Sequence, residues 1–305
     1  MALFFTRRTY NASKQKFTDN VASLTRYVRV QASGGGSHSG GIISRDDWLD
    51  LVIAGAQSRE VLIYVHGFNT DQAGMLSRLG KVEGGLRANG FTGAVVAFDW
   101  PSRGDVNFYD SDRTNAKAVA PFLVPDGILA ILQRSPGIKV HLLAHSMGAY
   151  LTLRAFSGEG QQPGQPPWKV DQALFVAADA EAEALRRGAW GALVMEHRCQ
   201  RLTNYYNVVD QTLTLAGGII HGGRERAGRV GLPDLAPANA VDLYTTQQFR
   251  NVVPDNQQGG FFVSHNWYYD DAGCLRDIRL TVAGQSDATM PTRVNTTAGN
   301  RALLT

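Results

Sequence analysis

The chain has 305 residues, 44% of them hydrophobic, enough to bury a full core. Its 30 Lys and Arg against 27 Asp and Glu leave a small surplus with no basic run that could track phosphates, so nucleic acid is not an expected partner. Two distant cysteines, Cys199 and Cys274, without a CxxC or Cys/His cluster, argue against a disulfide framework and a zinc site and favour a reducing, cytoplasmic setting.

In chain order, the amino terminus starts apolar but meets Arg7 and Arg8 before a signal-peptide core could form, and no later segment is expected to reach the length of an integral membrane span. Residues 1–44 read as an irregular edge segment, with a strand at 26–32 and a glycine-rich loop at 33–41. Ser44 with Asp47 makes a capping pattern before a short helix at 48–56, which leads into a strand at 61–65. A helix at 74–89, a strand at 93–100, a helical region at 112–134 broken or kinked by Pro121 and Pro125, and a strand at 139–145 follow. After a turn at Ser146, we expect a helix at 147–156, a loop at 157–168, and strands at 173–178 and 202–209, each terminating in an aspartate. The last strand of interest is 241–245, preceded by a glycine-rich connection, 216–240, long enough to be a lid. This alternation predicts one α/β domain spanning 1–305, a mainly parallel twisted sheet flanked by helices on both faces.

The strongest local signal is the run 139–148, KVHLLAHSMG, in which Ser146 stands where a buried strand must reverse into a helix, with small residues two positions to either side. A serine on such a turn exposes its Oγ, and the amide groups opening the helix face the charge that forms when it attacks. The usual pattern is Gly-x-Ser-x-Gly, and here Ala144 replaces the first glycine. Earlier, the strand 61–65 runs into His66, Gly67 and Phe68, where the glycine lets the backbone turn so that the Phe68 N–H can face the same charge; Phe68 and Met147 are therefore the candidate oxyanion donors. His66 and His145 read as scaffold residues, and His38, His141 and His197 stand in no motif.

The stretches 64–69 (YVHGFN), 98–102 (FDWPS), 143–149 (LAHSMGA), 177–179 (AAD), 206–213 (YNVVDQTL) and 264–268 (SHNWY) resemble, in order and spacing, the α/β-hydrolase superfamily and more narrowly a bacterial branch known only as a domain of unknown function. The resemblance implies esterase- or lipase-like hydrolysis with no metal or organic cofactor. It also implies the order serine, acid, histidine for the catalytic groups. Asp210 is the first choice of acid, with Asp179 the alternative, and His265 is the first choice of base, with His221 the alternative.

Phe68, Trp100, Trp267, Tyr268 and Tyr269 flank these turns, and Trp100 and Trp267 are the expected walls of a substrate pocket for a moderately apolar, small-molecule ester. The leading expectation is thus a carboxylesterase acting through an acyl-enzyme on Ser146. Acyl transfer by the same groups and a binding protein that has lost turnover are the other readings.

Overall fold

The computed structural model describes residues 1–32, 38–158, 167–296 and 300–305. Eleven strands form one sheet among them: β1 (Ala2–Asn11), β2 (Lys16–Ala32), β3 (His38–Ile43), β4 (Glu60–Val65), β5 (Ala94–Asp99), β6 (Lys139–His145), β7 (Val170–Val176), β8 (Cys199–Tyr206), β9 (Ala240–Tyr244), β10 (Arg293–Asn295) and β11 (Arg301–Leu303), in the order β10-β11-β9-β8-β7-β6-β4-β5-β1-β2-β3. The pairs from β11 to β1 are parallel, and antiparallel pairs occur only at the two edges.

The central strands are near-continuous apolar runs because both faces of the sheet are covered. β4 shows how: Val61, Ile63 and Val65 enter one core cluster while Leu62 and Tyr64 enter the other. Helices Arg45–Gly55, Tyr109–Leu123 and Met147–Gly158 cover the first face with residues such as Trp48, Val119 and Leu151. Helices Gln72–Ala88 and Ala272–Val282 cover the second with Leu79, Val82, Leu275 and Ile278.

Four expectations need correction. The amino-terminal segment is built of strands: β1 runs parallel to β5, with Phe5 opposite Phe98, and β2 and β3 extend it as an antiparallel edge. The glycine-rich loop read at 33–41 lies outside the described residues up to 37, and 38–43 is β3. The helical region read at 112–134 starts earlier and continues through both prolines with a change of winding: α-helix Tyr109–Leu123, containing Pro121, passes into a π-helical turn Val124–Leu129, containing Pro125, and on into Ala130–Arg134. This run from Val106 is, against expectation, long and apolar enough to cross a membrane by length and composition, and its apolar side chains are used in the core over β1 and β6. Most of the loop read at 157–168 falls outside the described residues.

Candidate active site

The sheet order reverses direction at β4 and β6, and ligand sites of open α/β sheets lie at the carboxyl ends of strands at such a switch point. Those two strands are paired with Val65 opposite Ala144, so the turns that follow them meet side by side. At the second turn Ser146 takes φ +54°, in the left-handed region, at a cost of about 1–2 kcal/mol for an L-residue. Its N–H donates to the Val176 carbonyl and its own carbonyl accepts from Ala149 and Asp179, all at 3.0 Å, which fixes the strained turn from both sides. Ser146 is 4% exposed.

The small residues around it have separate reasons. A Cβ on Gly67 would lie 2.7 Å from the Ser146 Cβ, and one on Gly148 would lie 2.5 Å from the Val65 carbonyl oxygen and 2.7 Å from that of His66. Ala144, which departs from the usual pattern, is fully buried between Val65 of β4 and Phe175 of β7, where its methyl group fills core space. The Phe68 and Met147 N–H groups have no acceptor among the described residues, which leaves both available to a ligand.

His265 sits on the short helix Val263–Asn266, with Nδ1 2.7 Å from Asp210 Oδ2. Asp210 is wholly buried, and its Oδ1 accepts the Leu213 N–H at 2.9 Å as the cap of helix Gln211–Leu215, so one carboxylate both starts a helix and orients an imidazole. The neighbouring turn is tied down by Gln211 N–H to Ser264 Oγ (3.1 Å) and Asn207 Nδ2 to the Ser264 carbonyl (3.0 Å). The His265 ring lies against that of His145, centroids 4.8 Å apart, and His145 Nε2 is 3.0 Å from the His265 carbonyl. Burial, with His265 beside it, holds the His145 pKa well below the ordinary value, so a neutral His145 donates this bond. Because His145 immediately precedes Ser146, the contact seats the His265–Asp210 pair next to the serine turn.

Asp179, whose N–H binds the Ser146 carbonyl and which lines the cleft at Ser146, is brought together with His221 and not with His265. The Tyr109 hydroxyl donates to Asp179 Oδ2, and Arg226 Nε lies 2.9 Å from Asp179 Oδ1, with both side chains 2% exposed. His221 Nε2 is 2.7 Å from the same hydroxyl, which is already donating to the carboxylate, so His221 donates to it. Burial and the nearby Arg226 lower the His221 pKa to about 4 and keep the ring neutral. Tyr109 and Arg226 carried no motif; a solitary tyrosine and arginine look like any others until their partners are known. As expected, His66 is scaffold: it is fully buried, its ring stacks on Trp100 at 5.0 Å, and its Nε2 accepts the Trp100 N–H at 3.1 Å.

The two tryptophans expected as substrate walls are placed differently. Trp100 is fully buried, and its Nε1–H holds the His66 carbonyl at 2.8 Å, so it supports the first turn from beneath. Trp267 packs on Phe249 and Tyr268 and faces a separate cavity of about 540 Å³ with Arg78, Val253 and Phe262. The cleft that reaches Ser146 is instead walled by Phe68, Tyr109, Leu213, Ile220 and Phe261, with Asp179 at its side, and is about 50 Å³ in volume. In the connection 216–240, read from sequence as a possible lid, Ile220 lines the cleft, while Arg226 and Ala227 are buried and Gly228 bonds to Ala178 and Asn207 within the body. Among the described residues, no group of three His, Cys, Asp or Glu side chains could hold a metal ion.

A mainly parallel sheet, helices on both faces and a strained serine turn at the switch point define an α/β-hydrolase fold. The chain belongs to the family described as alpha/beta hydrolase of unknown function (DUF900), which matches residues 43–269. A curated relative, the uncharacterized protein alr1448 of Nostoc sp., is 33% identical over 130 residues; the match spans 35% of this chain and only 34% of that protein. Solved structures with some likeness include a lipase-esterase related protein from Clostridium acetobutylicum (17% identity, TM-score 0.26, 43% of this chain and 46% of that one) and MenH from S. aureus (13%, 0.30, 74% and 94%).

Proposed function

We propose that this α/β hydrolase is a serine hydrolase that cleaves carboxylic esters through an acyl-enzyme on Ser146. The observation that supports this reading best is the buried His265 Nδ1–Asp210 Oδ2 contact of 2.7 Å, seated against His145 beside the serine turn. With Nδ1–H donated to Asp210, Nε2 of His265 is left unprotonated and serves as the base for the Ser146 hydroxyl. Ser146 Oγ then attacks the ester carbonyl carbon, and the Phe68 and Met147 N–H groups take up the charge on its oxygen. The histidine returns its proton to the leaving alcohol, and water repeats the sequence to release the acid. The walls Phe68, Leu213, Ile220 and Phe261 favour an apolar acyl group. Ile220, on the glycine-rich segment, forms part of the wall of this cleft of about 50 Å³ and is the side chain whose displacement would widen it.

The test is labelling by a fluorophosphonate together with turnover of a chromogenic ester series of graded acyl length. Ser146→Ala is expected to lose the label and to reduce kcat by roughly 10⁴–10⁶-fold. A Ser146→Ala protein that still hydrolyses esters at the wild-type rate ends the proposal.

A further inference from the structure

Residues 1–42 lie outside the segment the family matches, yet one of them reaches the turn that carries Phe68. Arg8 of β1 is 1% exposed, and its guanidinium is used on every side. Nε donates to Asp99 Oδ1 at 2.8 Å, Nη2 to the carbonyls of Thr70 (3.0 Å) and Ser102 (3.1 Å), and Nη1 to Asp19 Oδ1 at 2.6 Å. Asp99 in turn lies 3.3 Å from His66 Nε2 and accepts from Thr6 Oγ1 and Gln72 Nε2. Burial works to raise the Asp99 carboxyl, but Arg8 and His66 outweigh it and hold the group well below the usual carboxylate range. The turn 66–70 is therefore held at both ends from one buried group: Arg8 binds the Thr70 carbonyl directly and fixes Asp99, whose chain neighbour Trp100 donates to His66 Nε2 (3.1 Å) and, through Nε1–H, to the His66 carbonyl (2.8 Å), with Phe68 and the left-handed Asn69 (φ +54°) between them. The β1–β2 ladder is irregular on either side of Arg8, and these irregularities accommodate the inward-facing arginine and bring Asp19 to it.

We propose that Arg8 is a positioning residue for the oxyanion donor on Phe68, which makes the amino-terminal strand part of the catalytic apparatus. A planar fork that spans a carboxylate and two carbonyls at once fixes a backbone arch in a way a lysine ammonium does not. The inference rests on the reading of Phe68 as an oxyanion donor, and its test separates the two.

Arg8→Lys keeps the charge against Asp99 and loses the fork; Arg8→Met loses both. Arg293→Met, which breaks a comparable buried pair with Asp277 (2.7 Å) near the opposite edge of the sheet, is the matched control. Each variant is measured for ester kcat and KM per fluorophosphonate-titrated site, and for hydrogen exchange of the backbone at 66–70. Both Arg8 variants are expected to lose about 10- to 100-fold in kcat with KM within about threefold of wild type, and to exchange faster at 66–70. Arg293→Met should melt earlier with kcat per site and exchange at 66–70 unchanged. Wild-type kcat and exchange in Arg8→Lys overturn the inference, as does an equal kcat loss in Arg293→Met. If Arg8→Met does not fold, Arg8→Lys decides alone. A wild-type protein without esterase activity sinks the reading of Ser146, and exchange at 66–70 then decides whether Arg8 holds the arch.

Discussion

Ser146, Asn69 and Ala177 share a left-handed backbone, and all three follow the carboxyl ends of the adjacent strands β6, β4 and β7. Strain of this kind persists where the surroundings over-determine it, and here the close approach of Gly67 and Gly148 to the neighbouring turn does so. Gly148→Ala would place a methyl group 2.5 Å from the Val65 carbonyl and force the two turns apart. We expect kcat/KM to fall by roughly 100-fold, since a displacement of about 1 Å in such a site costs that much. Ala144→Gly should leave kcat/KM intact and lower stability by about 1–2 kcal/mol, through chain entropy and the lost burial of its methyl group. Steady-state kinetics with urea denaturation checks both, and an unimpaired Gly148→Ala protein would show that the contact is not what requires glycine. At this scale the turn at Ser146 was legible because it follows a recognisable strand, and the resemblance pointed to Asp210 and His265, whose side chains meet at 2.7 Å. Tyr109 and Arg226 were not legible, because a hydrogen bond to a residue 70 positions away and an ion pair to one 47 away leave no local trace.

The elements misread from sequence share one cause: a local signal was answered by a distant partner. β1 contains Thr6, Arg7 and Arg8 in succession, which looks like the end of an apolar run, yet all three are buried. Arg7 lies over the Phe122 ring at 3.5 Å and Arg8 is bound to Asp99, so the charges have partners inside. The π-helical turn at Val124–Leu129 lets the chain pass Pro125 without a break, and Gly127 there lets the Phe5 ring press on the helix. In the connection 216–240 composition suggested a lid throughout, but its second half is pinned by Arg226 to Asp179. Arg226→Met leaves a buried carboxylate without its cation and should cost about 3–5 kcal/mol in urea denaturation. Adding Asp179→Asn should recover part of that loss. A double variant no more stable than Arg226→Met alone would show that the two side chains are not coupled.

Across the whole molecule, protonation of one half-buried acid contributes to the response to pH. Asp242 of β9 accepts from Asn204 Nδ2 (2.8 Å) and the Leu232 N–H (3.0 Å), and burial raises its pKa from 3.8 to about 7, against the lowering effect of those bonds. The folded chain thus keeps a proton that the unfolded chain has released above pH 3.8. The stability linked to this group is fully present below that pH, declines as pH rises, and is lost once pH passes about 7. Melting temperatures between pH 4.5 and 8 should fall more steeply for wild type than for Asp242→Asn, and parallel curves would refute the assignment. Periodicity and turn residues alone determined the parallel core of the sheet, its two-sided cover and the serine turn, because apolar runs, glycines and strand-to-helix reversals act over a few residues. Only the tertiary structure decided the amino-terminal strands, the walls of the cleft, and the partnering of Asp179 with Tyr109 and Arg226 while Asp210 meets His265. Those outcomes depend on which buried polar groups find each other across the sheet, a property of three-dimensional neighbours that no single stretch of chain carries.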